Sequence, residues 1–537
     1  MRFNRLVTPQ PITRDAEPEM AAMKAVVSGS NDYYGASSIE HFSSASGLTY
    51  THEDAQGFLD YPTSFPGKGA NFWLKDTGVK VWEYEETYDN WQDTYGMDSV
   101  MAFYHSGHGN MDGNGIFQAP LGGKWDNRDW VFSNNMAFAN EELRYLFWST
   151  CFSLRVSGPD NPVRTWWAPN KGGLRMLFGY ETTSVDDPNY GKFFWDEWKK
   201  GKTFARAFLD ASWRISHSQV PVAMAVGGNA SEAINRLNSE RFFSKTPASK
   251  GWYQWQWIGT LPTRAFIYPA RTPKKLNALI LDNKLFDDER LCRMAREVGV
   301  AKRSAGTIKF DEDGNRMVGS RKIQLHVNRE GALNIFFGKA NIKNTTLLDE
   351  GKAVKIARAL ISDLEFDRGL ELVPGHVRHR FTCGGTMKGG GRIEEPAAVE
   401  TIVQFRQSHK GVESVNSDHG LLAICIDNDG SVVNAYNSTK AILGESDKPR
   451  SIIPSPPEKN AAESADTDAQ FDKAIRGILG RRSNPRAKAG GQTKVLSEKV
   501  GYDFSGKLGL VVRQRDIDVV IDKDLRKRYK VRVRAMG

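Results

Sequence analysis

The sequence predicts an α/β sheet flanked by helices, joined to a C-terminal α+β domain, and three observations carry that expectation. Short apolar runs stop at small or polar residues in 99–105, 143–150, 173–180 and 220–226, as the strands of an open sheet do. Between the last two, Phe193, Phe194 and Trp198, then Phe204, Ala207, Phe208, Ala211 and Ile215, recur at intervals of three and four, which marks helices. Past Pro262, Pro269 and Pro273 the pattern changes to turn-linked strands with one amphipathic helix.

Taken in order, 24–27 reads as a first strand, 54–60 as a helical turn and 79–84 as a strand, ahead of the four clear strands. In the second half, 309–310 and 316–318 flank the turn Asp311-Glu312-Asp313-Gly314, and 322–328 and 332–338 add strand-like runs. The helix is expected over 349–364, through Ala353, Ile356, Ala357, Leu360 and Ile361. A meander follows in 401–407, 420–426 and 432–437. Residues 445–499, rich in Pro, Ser, Lys, Ala and Glu, read as a flexible linker with a short helix at 468–479. Strand-like alternation in 507–513, 516–521 and 529–533 is expected to complete the second domain's sheet. The expected division is therefore 1–265, a connecting helical segment 266–305, the α+β domain 306–444, the linker 445–499 and terminal strands 500–537.

Composition narrows the function classes. The 537 residues are too many for one core, and no run of about 18 apolar residues suggests a membrane span. Residues 1–23 carry Arg2, Arg5 and Arg14 without an apolar signal-peptide core, so a cytoplasmic protein is expected, or a secreted one whose signal peptide has been trimmed. The net charge of +9 divides into about −4 for residues 1–265 and about +13 for the rest. That basic excess has no aromatic interleaving or nucleic-acid motif, so a solvated basic linker is favoured over nucleic-acid binding. The Asp-rich turns Asp311-Glu312-Asp313-Gly314 and Asp427-Asn428-Asp429-Gly430 both lack the twelfth-position glutamate of an EF-hand, and no metal or other cofactor is expected.

Of four cysteines, Cys292 falls in a helical pattern and Cys425 alternates like a core strand residue, and no C-x-x-C pair occurs. Cys151 differs. It ends the run Leu146-Phe147-Trp148-Ser149-Thr150-Cys151, as His108 follows Phe103-Tyr104-His105-Ser106-Gly107. A thiol at pH 7 is only a few per cent thiolate, so a nucleophilic cysteine needs a neighbour such as histidine to take its proton and later protonate the leaving group. Glycines on both sides of His108 let a substrate backbone approach, and the Gly109 and Cys151 N–H groups are candidates for an oxyanion hole. His105 and His108 are three apart on an extended segment and so face opposite ways, which argues against a zinc pair; His105 reads as a hydrogen-bonded core residue.

Ser106-Gly107-His108-Gly109 followed by Ser149-Thr150-Cys151-Phe152-Ser153 resembles the caspase-like cysteine peptidases, the superfamily of caspases, gingipains, separase and CHAT domains. The third strand at Gly172-Gly173-Leu174-Arg175-Met176-Leu177-Phe178-Gly179-Tyr180 and the loop Thr182-Thr183-Ser184-Val185-Asp186-Asp187 fit the same order. Residues 91–109 are similar to an uncharacterised, mostly bacterial branch. The resemblance, which covers 24 to about 260, implies His108 as general acid/base and Cys151 as nucleophile. In relatives that cleave after basic residues, an acidic side chain of that loop lines the S1 pocket, which implies Asp186 or Asp187 here and Arg or Lys at P1. The plain reading of the same pair is a loop and helix cap.

A second resemblance lies in Glu400-Thr401-Ile402-Val403-Gln404-Phe405-Arg406-Gln407 and Ile424-Cys425-Ile426-Asp427-Asn428-Asp429-Gly430. These are similar to FTP and PepSY propeptide modules, cystatin-like folds that assist and inhibit an attached protease. Together the two resemblances imply an endopeptidase acting on protein or peptide substrates, held by intramolecular inhibition, with Arg450, Arg481, Arg482 and Lys488 as candidate autoprocessing positions. The alternative is an inactive caspase-like scaffold that binds proteins, since fold does not fix function.

Overall fold

The structure, a computed structural model, describes residues 33–534 apart from 64–69, 260–264, 268–275, 312, 321, 452–460, 481–492 and 521–524. The strand expected at 24–27 and the positions Arg481, Arg482 and Lys488 lie outside the described residues. The chain is a mixed α/β protein built on a large mixed sheet flanked by helices.

The first half supplies β1 (Tyr34–Ser38), β2 (Phe72–Lys75), β3 (Ala102–Ser106), β4 (Tyr145–Ser149), β5 (Met176–Tyr180), β6 (Pro221–Gly227) and β7 (Trp252–Ile258). They lie in the order β2-β1-β3-β4-β5-β6-β7; the first five are parallel, and β6 and β7 run antiparallel to their neighbours. Every residue of β3, β4 and β5 is buried, because both faces of the sheet are covered. On one face, Tyr104, Phe147 and Phe178 meet α1 (Thr51–Thr63), α2 (Tyr190–Lys199) and α3 (Phe204–Ile215). On the other, Phe103, Leu146 and Trp148 pack on Trp82, Phe117 and Trp166. The helix α4 (Ala230–Ser239) lies between β6 and β7 in the chain.

Two elements of this half differ from the sequence expectation. The strand expected at 79–84 is a 3-10 turn, Val81–Glu83: all three of its side chains are buried, which the alternation of a half-covered strand would not allow. The antiparallel pair Phe117–Trp125 and Arg128–Phe132 was not expected, and it places Phe117 and Leu121 in the core.

The second half continues the same sheet. β7 pairs antiparallel with β8 (Glu371–Thr386), which is followed by β9 (Ala397–His409), β10 (Leu421–Asp427) and β11 (Val432–Asn437) as an antiparallel meander. Shorter strands at Leu333–Phe336, Gln324–Val327, Arg316–Gly319 and Lys309–Phe310 extend it. Two helices, α5 (Asp288–Glu297) and α6 (Glu350–Asp363), bury Leu291, Met294, Ala353, Ala357 and Ile361 against Val403, Phe405 and Ile424. Asp349 caps α6 by accepting the Lys352 N–H at 2.8 Å, where the apolar periodicity places its start.

The C-terminal region departs most from expectation. The stretch expected as a linker contains α7 (Ala461–Gly480) and the start of β12 (Thr493–Asp503). With β13 (Leu508–Val520) and β14 (Arg526–Arg534), β12 forms a separate antiparallel sheet that also takes in Ala265–Ile267, Leu276–Asp282 and Ala441–Ser451. These strands therefore do not complete the meander. Their apolar positions instead close on Phe471 of α7, through Ile517, Val519, Tyr529 and Val531. No described helix is long and apolar enough to cross a membrane.

Candidate functional site

The register of β3 against β4 decides where the two chemical residues fall. The parallel ladder ends at Ser106↔Ser149, and His108 and Cys151 each stand two residues beyond that pair. Adjacent strands lie about 4.8 Å apart, so the two segments leave the sheet side by side at its C-terminal rim. Their closeness shows at Gly109, where a β-carbon would fall 2.8 Å from the Cys151 carbonyl oxygen and 2.9 Å from Thr150 Cβ. Gly109→Ala is accordingly expected to destabilise the protein by about 1–3 kcal/mol, since backbone rather than a flexible side chain must move; urea unfolding checks this, and an unchanged midpoint would contradict the packing.

Below the rim, Asp54 of α1 accepts hydrogen bonds from Tyr104 Oη and Ser106 Oγ at 2.7 Å each, and from the Gly191 N–H at 3.0 Å. This carboxyl is buried, which pushes its pKa up to about 6 against the pull of those donors, and it ties α1 and α2 to the end of β3.

His108 is buried with its ring 4.7 Å from that of Phe42. Its Nε2 lies 3.0 Å from the Ser46 carbonyl oxygen. A carbonyl can only accept, so the neutral ring carries its proton on Nε2 and keeps its basic lone pair on Nδ1. Three residues away, His105 is a core residue as its position implies. Tyr84 Oη lies 2.7 Å from its Nδ1, and burial, with Lys527 nearby, lowers its pKa to about 3.

Cys151 is fully buried. The chain turns sharply after it: Phe152 has φ 55°, in the left-handed region that bulky residues rarely adopt, and its N–H donates to the Thr182 carbonyl. The Cys151 Sγ accepts the Ser184 N–H at 3.3 Å and stands 3.5 Å from Ser184 Oγ. Burial pushes the thiols of Cys383 and Cys425 up to about 12 and leaves them protonated. The Gly109 and Cys151 N–H groups both lie past the last ladder pair of their strands.

What covers the thiol has no local signal in the sequence. The first residues of β14 lie across it, 375 positions downstream, with the Arg526 carbonyl oxygen 3.2 Å from Cys151 Sγ. Lys527 is buried and donates from Nζ to Ser184 Oγ at 3.0 Å. Arg528 pairs with Val185 as an isolated parallel bridge: its N–H donates to the Ser184 carbonyl at 3.2 Å, and its carbonyl accepts the Asp186 N–H at 3.1 Å. The loop 183–187 thus holds an extended basic segment by its backbone, as sheet edges hold peptides.

The two aspartates of that loop are committed elsewhere. Asp186 accepts the Thr49 N–H at 3.1 Å, and Asp187 accepts the N–H and side-chain amide of Asn189 at 3.0 and 2.9 Å, ahead of α2. Burial raises the Asp187 pKa, with Lys530 opposing. Both line an open cleft of about 1120 Å³ with Lys530 and Arg532 of β14. The structure thus gathers His108, Gly109, Cys151 and the 183–187 loop at one rim and adds Ser46, Arg526 and Lys527, none of which belonged to a motif read from the sequence.

The class these features define is a mixed α/β domain with a histidine and a buried cysteine at adjacent strand ends. Residues 35–258 match the family model described as "Domain of unknown function (DUF6345)", a span that runs from β1 to the end of β7 and contains both residues. No curated protein matches the chain.

Proposed function

We propose that the chain is a caspase-like cysteine endopeptidase in which Cys151 attacks the peptide carbonyl and His108 moves the proton, with the C-terminal region holding the site closed. The observation that carries this reading is the basic segment of β14 lying in extended form along Ser184–Asp186 with a carbonyl at the Cys151 sulfur. In the reaction, His108 Nδ1 takes the thiol proton while Ser46 holds the ring at Nε2. The thiolate adds to the substrate carbonyl, the Gly109 and Cys151 N–H groups receive the oxyanion, and the imidazolium then protonates the leaving amine. Water hydrolyses the thioester with the histidine acting as base.

β14 serves as a lid rather than a substrate. Its Arg526 carbonyl presents oxygen, not carbon, to the sulfur, and the Arg526 side chain is exposed rather than held as a P1 group. Preference for basic P1 residues, with Asp186 or Asp187 as the recognising carboxylate, belongs to the same proposal, as does a cystatin-like, PepSY-type role for the meander with α6. The fully buried thiol favours a second reading, a protein-binding scaffold without activity.

An electrophilic thiol probe and a library of extended peptides separate the two. The peptidase reading expects labelling and hydrolysis from a chain truncated before β14, no activity from its Cys151→Ala form, and a loss of about 10²- to 10⁴-fold from His108→Gln. A folded truncated chain that labels no faster at Cys151 than at Cys292 and cuts nothing would favour the scaffold.

A further inference from the structure

The strands that join the two halves carry a polar face inside the molecule. On β7, Tyr253 and Trp255 enter the apolar core, so Gln254 and Gln256 stand on the opposite side of the sheet. The register carries that side onward: Gln256 lies beside Thr382 of β8, and Arg380 beside Glu400 of β9. Asn434 of β11 belongs to the same face. Gln254, Gln256, Arg380, Glu400 and Asn434 are each more than nine-tenths buried, where polar groups cost stability unless they find partners.

Part of that cost is offset within the face itself. Arg380 donates to Gln256 Oε1 and to Glu400, Gln256 Nε2 donates to Asn238 Oδ1 of α4 at 3.0 Å, and Gln254 Nε2 donates to Thr382 Oγ1 at 2.9 Å. A side-chain amide carries two N–H donors, and these bonds use one on each glutamine. Asn434 donates from Nδ2 to Asn334 Oδ1 and the Ile335 carbonyl, and its own oxygen accepts no hydrogen bond from the described residues. The bonds thus fix the side chains and leave donors and an acceptor over.

All of these residues line one cavity of about 610 Å³, bordered by a side of α4 and by the loop after the strand Leu333–Phe336. A small organic ligand needs that much room, and such sites favour the seam between two parts of a chain. Lys202, Arg206, Lys339, Lys343 and Arg380 line it against the single carboxylate of Glu400. Lys202 and Arg206 pair with Asp210, and Arg380 pairs with Glu400. Lys339 and Lys343, exposed in the loop, have no ion-pair partner among the described residues. The aromatic ring of Phe336 forms part of the wall.

We propose that this cavity binds a small anionic sugar, a monosaccharide carrying one phosphate or carboxylate group. A sugar hydroxyl both donates and accepts, and so does the set of amides in the wall. The C–H face of the ring packs on Phe336, and the anionic group answers the two lysines. No residue of the Cys151 rim takes part, so the site stands whether or not the thiol is reactive.

The test titrates the full chain with glucose 6-phosphate, glucuronate, glucose and inorganic phosphate at matched ionic strength, by calorimetry and by thermal unfolding. Expected are saturable 1:1 binding of at least one of the two anionic sugars, a Tm that climbs with its concentration, and binding of glucose and of inorganic phosphate weaker by about tenfold or more. Asn235 is exposed on α4 and lines the cavity, so Asn235→Trp should block binding. Lys339→Gln combined with Lys343→Gln should weaken it about tenfold or more, and Lys507→Gln, exposed and outside the cavity, should not. Should Asn235→Trp fail to fold, Ser231→Trp plugs the same space. The tighter of the two anionic sugars tells phosphate from carboxylate. Absence of saturable binding by both, equal binding of glucose or of inorganic phosphate, or indifference to the tryptophan or the lysine variants would overturn the proposal.

Discussion

Reversing the charge of Lys527 and Arg528 together, each to Glu, is expected to speed alkylation of Cys151 about tenfold or more, because reagent reaches a buried thiol only through local opening. The lid is held at three kinds of contact that this change weakens. Lys527 Nζ loses its bond to Ser184 Oγ, Arg528 loses its ion pair with Asp518 at 3.0 Å, and its bond to the Ser218 carbonyl disappears. The two backbone bonds around Val185, the bonds from Lys530 to Ser417 and the Ile215 carbonyl, and the pairing of β14 with β13 would remain. Iodoacetamide labelling followed by mass spectrometry gives the rate, with half-buried Cys292 as an internal reference. Unchanged Cys151 labelling in a double variant with a native circular dichroism spectrum would show that β14 does not control access. If the peptidase proposal holds, hydrolysis should rise in parallel; if the scaffold reading holds, labelling rises and hydrolysis stays absent.

The halves of this site differed in how far the sequence could reveal them. His108 and Cys151 were legible because each follows an apolar run that ends in small residues, and a parallel ladder carries two such ends to the same rim. His105 was legible for a related reason, since extended backbone turns residues three apart to opposite faces. The lid was not legible. Arg526 and Lys527 sit in a basic run with no local signal of a partner, and their contact with Ser184 depends on how a separate sheet docks. For the same reason the terminal strands could be recognised as strands but not assigned to a sheet: alternation fixes which side chains are buried, not which edge the strand joins. The turn at Val81–Glu83 misled because Val79-Lys80-Val81 begins the apolar and polar alternation of a strand. Asp186 and Asp187 show the limit of motif transfer. Their loop lies beside Cys151, yet their oxygens are taken by Thr49 and Asn189.

The junction between the two halves should be the most sensitive part of the core, and Glu400→Gln is expected to cost about 3–5 kcal/mol of stability. Glu400 of β9 is fully buried between Arg206 of α3, whose Nη1 reaches its two oxygens at 2.7 and 2.8 Å, and Arg380 of β8 at 2.7 Å. Arg380 also donates to Gln256 of β7 at 2.5 Å, so one carboxylate joins a helix and a strand of the first half to two strands of the second. Burial alone would raise the pKa of this acid, but the two guanidiniums hold it down at about 2. A folded value below the unfolded one near 4.3 means that the unfolded chain binds more protons, so the contribution is complete above about pH 4.3 and is lost as pH falls through about 2. At 1.36 kcal/mol per unit that gap is worth roughly 3 kcal/mol, in line with the cost of breaking a buried pair. Urea unfolding at pH 7 and pH 3 checks both statements: the difference between wild type and Glu400→Gln should shrink towards acid. A constant difference would mean that the carboxylate acts through packing, and no difference at pH 7 would mean that the halves are joined by β7 and β8 alone. Replacing the trio by Met, Leu and Met should be far less harmful than removing Glu400, because it leaves no unpaired buried charge behind.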